Sequence, residues 1–165
     1  AENGERHVGG QRRHRRDQPV PSLLRSEPAD VSLAILGEGD MRLVLERQIA
    51  ALGLVGRVVL PGHIADPAAA MKQAIVVVLT SDYEGVPGVL REALSVGTPV
   101  VATDASVAIA EIVTAPTLGS IVPRNDPSAL SAALLHWLDA PRPAPVPPPG
   151  ADAAARYLDL FDRLV

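Results

Sequence analysis

Ile75-Val76-Val77-Val78-Leu79 is the segment that most narrows the fold. It is mostly β-branched and has no polar residue alternating with the apolar ones. It therefore reads as a strand buried on both faces, which needs helices above and below it. The run that contains it, starting at Ala74, is far shorter than the roughly 20 apolar residues that cross a bilayer. Tyr83, Trp137, Tyr157 and Phe161 are the only aromatic residues, so the core on this strand has to be aliphatic.

From residue 31 the chain alternates strand-like and helix-like segments. Strands are expected at residues 31–36, 57–60, 75–79, 99–102 and 120–122. Asp40 is read as the cap of a helix in which Met41, Leu45, Ile49 and Leu52 share one face, closed by Gly53. Asp66-Pro67 and Asp126-Pro127 each put a capping carboxylate before a proline at the first helical position. Further helices are expected at 88–96, 106–113 and 151–164. Alternation of this kind gives an α/β fold with a doubly wound, parallel, Rossmann-like sheet.

The flanks read differently. Residues 1–30 hold Arg12, Arg13, His14, Arg15 and Arg16 among Gly and Pro punctuators, with no apolar periodicity. An atypical basic arm is expected there, disordered or a fragment junction, with no strand ahead of Val31. A net charge of −4 and the lack of interleaved aromatics argue against nucleic acid as a partner. Residues 31–140 are the expected ligand-binding domain. Residues 141–149, rich in proline, read as an extended, semi-rigid connector. Residues 150–165 carry a final helix whose stripe of Tyr157, Leu160, Phe161 and Leu164 needs a covering partner.

The chain has no cysteine, which excludes disulfides and thiolate chemistry. No apolar leader is visible, so a cytoplasmic protein is expected. The histidines are scattered without ligand spacing, so neither a metal site nor a bound cofactor is expected.

Glu84 and Glu92 bracket the turn from the most buried strand into a helix, the place where open α/β sheets bind ligands. Ionised carboxylates are acceptor-only groups and suit the vicinal hydroxyls of sugars and ribose. Taken alone, the pair reads more simply as a solvated loop acid and a helix-surface acid. Its neighbours change that. Read as Glu-Gly-x-Pro-x-x-x-x-Glu, residues 84–92 resemble the signature of family-four retaining glycosyltransferases of GT-B architecture. Leu36-Gly37-Glu38-Gly39-Asp40, residues 57–63, Ser81-Asp82-Tyr83, residues 97–104 and residues 122–127 follow the same pattern in the same order.

The resemblance covers about residues 31–165, the carboxyl-terminal, donor-binding half of such enzymes. It implies that Glu84 is the catalytic residue, contacting hydroxyls of the transferred sugar as a ligand grip rather than an acid or base, and that Glu92 holds the ribose diol. Gly85, Val86 and Pro87 would line the donor, and Gly62, His63 and Ile64 would read the nucleobase through backbone groups. The helix N-terminus near Gly88 would face the diphosphate. A nucleotide sugar is the implied partner, and no metal is needed. The acceptor domain, through which any peripheral membrane contact would run, is expected to be missing. Tyr83 is expected to pack under its loop, and His136 beside Trp137 to serve packing.

The resemblance has gaps. The strand with its following Arg and Lys that neutralise the diphosphate is not recognisable, and Lys72 lies elsewhere. Ala105-Ser106 stands where paired glycines are usual. A non-catalytic nucleotide-sugar-binding module, a truncated remnant and a GT-B nucleotide-sugar epimerase are the rival readings.

Overall fold

The computed structural model describes residues 6–11 (as backbone), 28, 30–147 and 153–163. Among these, the order is β1 Arg6–Gln11, β2 Val31–Leu36, α1 Arg42–Ala51, β3 Val58–Gly62, α2 Pro67–Gln73 and β4 Val76–Leu79. There follow α3 Gly88–Ser95, β5 Val100–Thr103, α4 Val107–Ile112, β6 Gly119–Val122, α5 Pro127–Asp139 and α6 Ala153–Asp162. The strands form one parallel sheet in the order β3-β2-β1-β4-β5-β6. This is a doubly wound, Rossmann-like α/β fold, and its strand order reverses between β1 and β4.

The buried strand behaves as its composition requires. Along β4, Val76 and Val78 enter one core while Val77 and Leu79 enter the other. The first core takes Leu45 and Ile49 from α1 and Leu130, Leu134 and Trp137 from α5. The second takes Met71 from α2, Leu90, Ala93 and Leu94 from α3, and Ile109 and Ile112 from α4. Successive side chains of a strand point to opposite faces, so one four-residue run anchors both helical layers.

Three expectations need correction. The first concerns residues 1–30, which are not an arm throughout. Arg6–Gln11 is the central strand, with Gly9 opposite Ala34 on one side and Val77 on the other. Its own sequence, with two glycines, has little strand preference. The pairing comes from two neighbours that each offer a full ladder edge, the kind of context that overrides propensity. The Arg12 to Arg16 run that follows lies outside the described residues.

The second concerns Asp40, which does not cap α1. Met41 occupies the cap position in a helical conformation (φ −82°), with no side-chain hydrogen bond to the helix. The turn is already closed by the Arg42 N–H donating to the Gly39 carbonyl at 3.0 Å, so the Asp40 carboxylate has no cap geometry to fill. The Asp-Pro signals, by contrast, hold. Asp66 accepts from the Ala69 N–H and Asp126 from the Ala129 N–H, each at 2.9 Å.

The third concerns the proline-rich stretch, expected as an extended, semi-rigid connector, which over residues 141–147 is bonded to the domain as a strap. Arg142 donates to the Ala74 carbonyl at 2.7 Å, the Gly97 carbonyl at 3.2 Å and Thr98 Oγ1 at 2.5 Å. The Val146 N–H donates to the Leu94 carbonyl at 2.9 Å. Gly97 sits at φ +74°, and a Cβ there would lie 3.0 Å from the Pro143 carbonyl oxygen, so a glycine is what admits the strap. Beyond the strap, α6 buries no residue, and Tyr157, Leu158, Leu160 and Phe161 are exposed. Leu164 lies outside the described residues. Among those described, no helix is long and apolar enough to cross a membrane.

Candidate functional site

The carboxyl ends of the parallel strands form the edge that carries the candidate site. Between β4 and α3, residues 80–87 make a loop beside the point where the strand order reverses. Open α/β sheets leave a crevice at that point. Several bonds hold the loop to the neighbouring strand ends. Thr103, the last residue of β5, donates from Oγ1 to the Ser81 carbonyl at 2.5 Å. The Glu84 N–H donates to the Ala105 carbonyl at 3.3 Å. Ser106 Oγ donates to the Gly85 carbonyl at 3.1 Å. Arg124, beyond β6, donates to the Asp82 carbonyl at 3.1 Å.

On this frame Glu84 is half-buried, and its Oε1 accepts from Ser81 Oγ at 2.6 Å. Gly85 and Val86 are exposed, whereas Pro87 is buried and occupies the N-cap position of α3. No side chain caps α3, so its first N–H groups are left for another acceptor. Glu92 is exposed on the second turn. Its Oε1 lies 3.6 Å from where a Cβ on Gly88 would stand. The Glu92 side chain is therefore folded back toward the helix N-terminus, the direction in which helical side chains lean.

Gly62 ends β3, and His63 and Ile64 follow it on the same edge. Gly62 is buried at φ +77°, and it is tied to the loop after β2 by the Gly37 N–H donating to the Gly62 carbonyl at 2.8 Å. A Cβ on Gly62 would come within 2.5 Å of Glu38 Oε1, so the backbone turn and the carboxylate share one space. Glu38 is held there by Arg42 at 2.6 Å, and Arg42 also reaches the Leu60 carbonyl at 2.8 Å. His63 is exposed and Ile64 half-buried.

The site residues expected from the sequence thus lie at the carboxyl edge: Glu84 to Pro87 and Glu92 around the start of α3, and residues 62–64 at the end of β3. Tyr83 departs from expectation. It does not pack under the loop but is 80% exposed at its rim. Trp137 is buried and donates from Nε1 to Ser120 Oγ at 2.9 Å, with His136 edge-on to it at 5.2 Å. Among the described residues, no cluster of His, Asp and Glu could hold a metal ion.

Sequence reasoning missed the residues that hold the loop. Ser81-x-x-Glu84 has the spacing of a capping box, which is a usable signal for a Ser–Glu contact. Thr103, Ser106 and Arg124 left no comparable mark, because their partners are backbone carbonyls distant in sequence.

Residues 18–140 match the family model of the glycosyl transferases group 1. Among curated proteins, the Vi polysaccharide biosynthesis protein VipC/TviE of Salmonella typhi is 35% identical over 82 residues, 50% of this chain and 14% of that protein. The putative colanic acid biosynthesis glycosyltransferase WcaL of Salmonella typhimurium is 48% identical over 56 residues, 34% of this chain and 14% of that protein. Among solved structures, Anabaena Alr3699/HepE in complex with UDP and glucose superposes with a TM-score of 0.75 at 26% identity, covering 82% of this chain and 39% of that one. The lipopolysaccharide outer core galactosyltransferase WaaB shares the fold, with a TM-score of 0.73 at 19% identity over 82% of this chain and 41% of that one. The chain spans less than half the length of each of these four proteins.

Proposed function

The chain belongs to the group 1 glycosyl transferases, and from that premise we propose that it is the donor-binding half of a GT-B enzyme. It would move a hexose from a nucleoside diphosphate sugar to an acceptor hydroxyl with retention of anomeric configuration. The observation that carries this reading is the placement of two carboxylates around one uncapped helix start, with Glu84 before it and Glu92 folded back toward it.

Each group has a task that its chemistry suits. Glu92 accepts from the ribose diol, and Glu84 from hydroxyls of the transferred sugar. The diphosphate takes the free N–H groups and positive end of α3 between them. Exposed Gly85 lets the backbone approach the sugar, with Val86 and Pro87 forming the wall. The backbone of residues 62–64 meets the base. Catalysis on this reading is positioning plus stabilisation of leaving-group charge, with no metal ion assigned a part. The acceptor is held elsewhere, and the chain alone is expected to turn over little or nothing.

HepE, whose structures hold UDP, glucose and UDP-glucose, makes a UDP sugar the first donor to try. The test is calorimetric titration of the chain with UDP-, GDP- and ADP-glucose. Binding of at least one is expected, and Glu92→Ala should weaken it by about 1.5–3 kcal/mol, the range for hydrogen bonds to a charged group. No binding of any of the three, or binding indifferent to Glu92, would refute the reading.

A further inference from the structure

Ser81 is 4% exposed, yet its hydroxyl is not spent on a nearby main-chain carbonyl, the usual fate of a buried Ser. It donates instead to Glu84 Oε1 at 2.6 Å, a charge-assisted bond to a half-buried carboxylate. Ser81 is itself fixed from beneath. Thr103, 7% exposed at the end of β5, donates to the Ser81 carbonyl at 2.5 Å. The Glu84 main chain is fixed as well, through its N–H to the Ala105 carbonyl at 3.3 Å. Two strand ends, two hydroxyls and one carboxylate thus form a relay that starts in the sheet and ends at the site.

We propose that Ser81 is a positioning residue for the donor sugar: it locks the Glu84 carboxylate in one rotamer by occupying Oε1, and Thr103 locks Ser81. The proposal rests on the donor-site reading given above. A free Glu side chain samples many rotamers and loses that freedom when a ligand binds. Here the loss is met on folding, so the sugar hydroxyl meets a carboxylate already in place. Oε2 keeps both lone pairs for the sugar and Oε1 only one, which favours a single strong hydroxyl contact over a symmetric bidentate one. Ser81 touches no part of the ligand and acts only through Glu84.

That last point sets the experiment, because UDP lacks the sugar that Glu84 would grip. The 165-residue chain is titrated with UDP and with UDP-glucose, as wild type, Ser81→Ala, Glu84→Ala and the double variant. Ser81→Ala should weaken UDP-glucose by about tenfold and leave UDP within twofold. The double variant should bind UDP-glucose no worse than Glu84→Ala. Equal weakening of both ligands by Ser81→Ala would make Ser81 a merely structural residue and overturn the proposal. Unchanged UDP-glucose binding, or additive losses in the double variant, would overturn it too. If the wild-type chain binds neither ligand, the donor-site reading falls first, and the positioning role with it.

Discussion

The two edges of the sheet use polar groups in opposite ways. At the amino edge, Arg142 lies across the entries to β4 and β5 and turns each of its three guanidinium nitrogens inward, onto Ala74, Gly97 and Thr98. At the carboxyl edge, buried Ser81 and Thr103 hold a loop from below while Glu92, Gly85 and Tyr83 stay open to solvent. One edge closes its hydrogen-bonding account internally. The other is held rigid but keeps acceptors and helix N–H groups unspent, which is the arrangement a binding site needs. Charge alone would not have separated them, since a guanidinium sits at each edge, Arg142 at one and Arg124 beside the carboxylates at the other.

The contrast can be broken most severely through the layer the two edges share. Leu94 is 1% exposed, packs in the core between α3 and the sheet, and offers its carbonyl to the strap. Leu94→Ala should cost about 2–5 kcal/mol in urea-induced unfolding, the range for a buried leucine truncated beside partly relaxing neighbours. A loss below about 1 kcal/mol would mean that the strap and helix do not form one packed layer. Arg142→Ala is the sharper and milder probe. It should lower stability by about 1.5–3 kcal/mol while leaving nucleotide-sugar affinity unchanged within twofold. A matching loss of affinity would show that the two edges are coupled and that the division drawn between them is wrong.

What could be read in the sequence follows the same division. The β4 run declared both cores because a strand with no polar alternation admits no solvent face. The Asp-Pro caps at Asp66 and Asp126 were legible because cap, proline and donating N–H lie within four residues. The carboxyl-edge acids were legible because the motif is local. Strand β1 was not, because Arg6–Gln11 takes its conformation from ladders on Val31–Leu36 and Val76–Leu79, both remote in sequence. Arg142 was hidden for the same reason: two of its partners are backbone carbonyls 45 and 68 residues away, and a carbonyl has no sequence signature. Asp40 misled in the opposite direction, as a good capping residue placed where the turn was already closed.

The central claim is that the carboxyl edge around Glu84 and Glu92 receives a nucleotide sugar. Amide chemical-shift mapping of the 15N-labelled chain during titration with UDP-glucose tests it most directly. The predicted result is a set of saturable shifts at Gly62, His63, Gly85, Gly88 and Glu92, with Gly97, Arg142 and Val146 unmoved. Shifts centred on the strap, or none up to millimolar ligand, would contradict it.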